Sequence, residues 1–192
     1  MTKGRLEAFS DGVIAILITI MVLELRVPHD ASWNALRPIA PVLASYVLSF
    51  IYIGIYWNNH HHMLHTCQRV TGGILWANMH LLFWLSLVPF TTGWMGENHF
   101  APHTVALYGG TLFMAGVAYY ILQLTIIRAQ GEHSLLKHAI GIDWQGKSSP
   151  ILYAIAIACA FSRPAVSLAI YAAVAIIWLV PDRRIERVLG GE

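Results

Sequence analysis

Six stretches of this chain are apolar enough to read as membrane-crossing helices, a reading that excludes most other folds: Leu6–Leu25, Ile39–Asn58, Val70–Phe90, Thr104–Ile126, Ser149–Phe161 and Pro164–Val180. A spanning helix needs about 20 mostly apolar residues. The fifth stretch falls short of that and is expected to start earlier or to sit tilted. Only 11% of the 192 residues are charged and 57% are hydrophobic, whereas a soluble domain carries about 25% charge. Between the runs lie segments with turn chemistry: Pro28 to Pro38, the His-rich run up to Arg69, Gly93 to Pro102, and Arg128 to Pro150. Ser162-Arg163-Pro164 predicts a tight turn between the last two helices. No internal repeat or low-complexity tail stands out, and the expectation is one all-α, six-helix transmembrane domain over residues 1–192.

The loop charges predict an orientation. If the N-terminus is cytoplasmic, inside segments hold Lys3, Arg5, Arg69, Arg128, Lys137, Lys147, Arg183, Arg184 and Arg187. Outside segments then hold Arg26, Arg37 and Arg163. Positive residues collect on the cytoplasmic side, so both termini are expected inside. Trp33, Trp57, Trp94 and Trp144 near helix ends suit the interfacial belts. A formal net charge of +2 offers no nucleic-acid surface. Cys67 and Cys159 lie far apart and predict no disulfide. The first run is long, begins with an acid and lacks a small-residue cleavage site, so it is expected to remain in the mature protein. HExxH, GxSxG, a P-loop and a TVGYG-like filter are all missing from the sequence, which argues against an enzyme.

The first helix is entered through polar groups. With Phe9 set at zero and successive residues turned by about 100°, Ile16, Ile20, Leu23 and Val13 fall within about 40° of it. Thr19 sits at the edge of that stripe, near −80°, while Ser10 lies about 100° and Asp11 about 200° away. One face is thus a row of aliphatics, and Ser10 and Asp11 point elsewhere. An ionisable residue in a spanning segment ordinarily faces protein or water and finds a partner. The inner end of the second helix lies at Asp11's depth, where Trp57, Asn58, His60, His61, His62 and His65 are candidates. His61 and His65, spaced i, i+4, also read as a metal or haem ligand pair, although no nearby Cys, Asp or Glu completes a set. In the third helix Asn78 and His80 need partners within the bilayer; helix–helix hydrogen bonding is the plain reading and a proton or ion relay the other. Glu24 and Arg26 read as a solvated rim.

Arg5, Phe9, Ser10 and Asp11 form an RxxxFSD motif at the head of the first helix. With "GIYWNNHHHMLH" ending the second helix, the six-helix count and the inside termini, the chain resembles the transmembrane protein 175 family. These are lysosomal-type potassium channels with prokaryotic relatives. The likeness is to the single-repeat prokaryotic members, which implies a homotetramer in the cell membrane, with helix one lining a central pore. It also implies a constriction of bulky aliphatics in place of a carbonyl filter. Ile16 would be the narrowest ring, Ile20 and Leu23 further rings, and Thr19 a polar contributor to selectivity. Arg5, Phe9, Ser10 and Asp11 would belong to a network with Trp57, His60, His61 and His80 that fixes helix one against its neighbours. Potassium, with other monovalent cations, would be the permeant species, and no cofactor or metal is expected. Four aliphatic stripes around one axis make stacked rings that gate by dewetting.

Two other readings remain at this level. Asp11, Asn78 and His80 suit a secondary transporter or proton-coupled carrier with a pathway inside each protomer. The His60–His65 cluster suits a metal- or haem-binding membrane enzyme. Imidazoles titrating near pH 6.5 make flux that changes between pH 5 and 8 an expectation of the channel reading.

Overall fold

A computed structural model describes residues 2–131, 134–140 and 144–179. The expected inside charges at Arg183, Arg184 and Arg187, and the last residue of the sixth run, Val180, lie outside the described residues. The described chain is helical, without a strand. Its helices are α1 (Lys3–Leu23), α2 (Ala40–His65), α3 (Gly72–Ser86), α4 (Val88–Glu97), α5 (Pro102–Gln130), α6 (Leu135–Ile140), α7 (Trp144–Ala160) and α8 (Pro164–Leu179), with a 3-10 turn at Trp33–Leu36.

Four stretches are long and apolar enough to cross a membrane: Lys3–Leu23, Ala40–His65, Gly72–Glu97 and Pro102–Gln130. The fifth and sixth expected spans are helical but shorter, with apolar parts at Ser148–Ala160 and Pro164–Leu179. As expected for a short run, α7 begins earlier than its apolar core, at Trp144.

The third span is interrupted. It is continuous in hydropathy from Gly72 to Glu97 but divides at Leu87, two residues before Pro89. Proline lacks the N–H that would bond Leu85 and its ring crowds that carbonyl. The Leu85 carbonyl is reached instead by the Leu87 N–H, which is shared with the Trp84 carbonyl. Thr91 Oγ1 donates to the carbonyls of Leu87 and Val88 at 3.2 Å, and Thr92 Oγ1 donates to Val88 at 2.6 Å.

Two expected breaks fall elsewhere. The His-rich run is no break, because α2 stays helical to His65 and buries His60, Met63 and Leu64. Gly93 does not open a turn, because α4 runs on to Glu97. The turn follows at His99 and Phe100, two non-glycine residues with φ of 50° and 59°, and Phe100 packs its ring on the core. The predicted tight turn after α7 is present: the N–H groups of Ser162 and Arg163 both donate to the Cys159 carbonyl. Both thiols are free, Cys67 buried and Cys159 half-buried.

Helix α5 is the hub. It packs on α3, α4, α7 and α8, while α1 lies at one edge against α2, α3 and α4. The core is tied by tyrosines that carry their hydroxyls to internal acceptors. Tyr52 donates to the Tyr171 carbonyl at 2.7 Å, Tyr171 donates to Val105 at 3.2 Å, and Tyr108 shares Ser49 with Thr92. Small residues set the closest approaches. A Cβ at Gly96 would come within 2.6 Å of the Val42 Cα, so α2 and α4 meet backbone to backbone there. A Cβ at Gly109 would run into the Tyr171 ring.

Candidate functional site

Helix α1 has two unlike faces. Leu6, Ser10, Ile14, Leu17 and Met21 are buried, one row of i+3/i+4 steps turned to α2, α3 and α4. On the other side Ile16, Ile20 and Leu23 are 57%, 41% and 80% exposed, and Phe9 is exposed below them. The aliphatic row therefore faces away from the rest of its own protomer. Thr19 is also exposed, and its hydroxyl donates to the Ile16 carbonyl at 2.8 Å.

The buried face is held by hydrogen bonds near the N-terminal end. Asn78, from the middle of α3, reaches both neighbouring helices. Its Nδ2 donates to Ser10 Oγ at 3.0 Å, and its Oδ1 lies 2.7 Å from His60 Nε2. Ser10 Oγ passes its own proton to the Leu6 carbonyl at 2.9 Å. With Oδ1 able only to accept, the His60 proton sits on Nε2. The chain of donors then runs one way: His60 to Asn78 to Ser10 to Leu6. All three side chains are buried, so each bond replaces one that water cannot supply.

Asp11 is held separately. Trp57 Nε1 donates to its Oδ1 at 3.0 Å, and Asp11 is half-buried at the α1–α2 seam. A further tie lies about two turns nearer the helix start, where Lys3 Nζ donates to the His65 carbonyl at 2.7 Å and lies 3.8 Å from Glu7. Together these bonds fix how α1 is rotated, and so which side its aliphatic row presents.

Not every expected member joins. His80 stays within α3, accepting from Trp84 Nε1 at 3.0 Å. His61 is exposed and stacks between Trp57 and His65, with ring centres 6.1 and 6.2 Å away. Arg5 and Phe9 are exposed beside the aliphatic row. Asn78, which the sequence marks as a buried polar group in search of a partner, proves to be the bridge. Among the described residues no three His, Cys, Asp or Glu side chains converge as a metal site would require; His61 and His65 are a stacked pair.

Replacing Asn78 by Leu keeps its size and removes both bonds, stranding the His60 N–H. Interhelical bonds of this kind average about 0.6 kcal/mol and reach about 1.7 in bilayers, and an orphaned buried donor costs about 1–3. A loss of about 1–2 kcal/mol is expected, read as earlier thermal loss of the monodisperse peak. Asn78→Gln, which keeps the amide, is expected to recover part of it.

Comparison with known proteins joins these features to a family. Residues 5–89, from the head of α1 to Pro89, match the family model described as the endosomal/lysosomal potassium channel TMEM175. A potassium channel of Chryseobacterium sp. (strain P1-3) is 57% identical over 98% of both chains. An endosomal/lysosomal proton channel TMEM175 of Gallus gallus is 36% identical over 37% of this chain and 17% of its own. The crystal structure of a lysosomal potassium-selective channel TMEM175 homolog from Chamaesiphon minutus superposes with a TM-score of 0.82. It is 28% identical, and the match covers 94% of this chain and 97% of that one. With a likeness that runs the length of the chain in sequence and in fold, this multi-pass helical protein belongs to the TMEM175 family of potassium channels.

Proposed function

We propose that four copies of this chain surround a central axis lined by α1 and form a weakly selective potassium (cation) channel. The exposed aliphatic row of α1 carries this reading. A helix at the edge of the bundle, rotated by buried hydrogen bonds so that Ile16, Ile20 and Leu23 face outward, is arranged to meet copies of itself. Four such rows stack into hydrophobic rings, with Ile16 the narrowest, which pass ions when wide enough to stay wet and close by dewetting. Thr19 sits between Ile16 and Ile20 as a polar contribution to selectivity. The Ser10–Asn78–His60 and Asp11–Trp57 contacts hold the rows toward the axis. The protein acts in the cell membrane with both termini cytoplasmic, and as a conduit it needs no cofactor and no catalytic residue.

The test is direct. The purified chain in native detergent is expected to have four times the protomer mass, allowing for bound detergent, and liposomes containing it to pass potassium down a gradient. A monomeric or dimeric mass, or liposomes no leakier than empty ones, would overturn the proposal. The Gallus gallus relative is named a proton channel, so an internal pH dye in the same liposomes compares proton with potassium entry.

A further inference from the structure

A cavity of about 330 Å³ opens between α2, α5, α7 and α8. No α1 residue is among its described lining, so it is separate from the surface that the channel proposal uses. Its wall is aromatic, built by Tyr52, Tyr56, Phe113, Tyr120, Tyr153 and Trp178, with Gly116 leaving room on the α5 side. Described lining residues include no Asp, Glu, Lys or Arg. One polar group stands out. Gln123 is more than nine-tenths buried, lines the cavity, and has no hydrogen bond to another described group. Its amide borders the open space of the cavity and so is placed to bond an occupant.

The cavity's shape narrows the choice of occupant. The lining on α5 runs from Phe113 to Gln123, about 15 Å along the helix at 1.5 Å per residue. An apolar, aromatic-walled run of that length suits an extended hydrocarbon chain. The volume lies at the lower end of the range for ligand sites. A charged head is disfavoured, since no described lining group would pair with it and desolvating an unpaired ion is costly.

We propose that this cavity binds a neutral single-chain amphiphile, its hydroxyl or amide head bonded to Gln123 and its chain laid against the tyrosines and Trp178. The Gln123 amide both donates and accepts, which suits an alcohol head. Trp178 donates its indole N–H to Ser149 at 2.7 Å, so it presents carbon rather than a free donor to the chain. Such a ligand would bridge the α2–α5 pair to α7 and α8. The site stands whether or not α1 lines a pore.

The probe is a bromine-terminated ten-carbon alcohol, titrated into the full-length protein in nanodiscs while tryptophan fluorescence is read. Saturable quenching is expected on top of the linear loss caused by bilayer partitioning. Trp178→Phe should remove most of the saturable part. Gln123→Leu should weaken apparent affinity about five- to tenfold, without a matching change for the corresponding bromoalkane. Gly116→Val should abolish saturable quenching by filling the space; a Cβ there meets its nearest neighbour, the Tyr56 hydroxyl, at an ordinary 3.8 Å, so folding should survive and is checked by elution profile. The corresponding bromodecanoate at pH 9 should show only the linear part. Linear quenching alone in the wild-type protein, or saturable quenching untouched by both Gln123→Leu and Trp178→Phe, would overturn the proposal.

Discussion

Liposomes containing Ile16→Asn should leak potassium at least tenfold faster than wild type. The side chain is 57% exposed on the outer face of α1, so the substitution removes little packing; changes at such positions ordinarily stay within about 0.5 kcal/mol of neutral. Its effect would fall on hydration. A ring of four isoleucines offers water no hydrogen bond, and an ion passing it must shed hydration without replacement. Four carboxamides supply donors and acceptors at that level. Tenfold in rate corresponds to about 1.4 kcal/mol off the barrier, a modest demand on four polar side chains. Ile176 in α8 is the control, because it is 67% exposed on a helix that the proposal places away from the axis. Ile176→Asn should leave the flux near wild type. Equal leak from both variants, or none from Ile16→Asn, would sink the assignment of α1 to the pore.

Gly96→Ala is expected to be the more damaging change to the fold, though it adds one methyl group. Its Cβ would lie 2.5 Å from Ser45 Oγ and 2.6 Å from the Val42 Cα. Serine could rotate away, but a backbone Cα in the first turn of α2 cannot. The two helices would have to separate. Overpacking typically costs about 1–3 kcal/mol, and the rigid neighbour places this case at the upper end. At roughly 2–4 °C per kcal/mol for a chain of this size, the midpoint for loss of the folded peak should fall by about 5–10 °C. Gly110→Ala on α5 is the matched control, since a Cβ there meets nothing within 4 Å. If both variants melt with the wild type, the close α2–α4 approach is wrong.

The spans were legible in the sequence because a bilayer leaves few ways to place an apolar run. Their ends were less so, and the two misplaced breaks show why. The His-rich run reads as a break for its polarity, even with its motif ending the second helix. Helical bonds do not depend on apolarity, however, and Asn59, His60, Met63 and Leu64 turn into the core. Gly93 looked like turn chemistry, but the close approach at Gly96 in the same helix is one that glycine alone permits. Local composition could not tell these uses apart. The clamp was half legible: Ser10 and Asp11 announced that α1 needed partners, and Trp57 and His60 lay at the right depth. Choosing His60 over His61 required the position of α3, because one helical residue turns the ring by about 100°. Asn78 could be recognised as unsatisfied but not as the link, since that depends on three helices meeting.

The ties on α1 are unevenly spread. Lys3, Ser10 and Asp11 bind it near its start, whereas beyond its far end, among the described residues, the side-chain tie is an exposed Arg26–Glu97 pair at 3.2 Å, a kind of contact worth little. The helix is therefore a lever with its fulcrum near Ser10. Ile16 lies about 9 Å from that pivot and Leu23 about 20 Å, so a tilt of about 5° carries them about 0.8 and 1.7 Å. One small swing would dilate the far ring roughly twice as much as the near one.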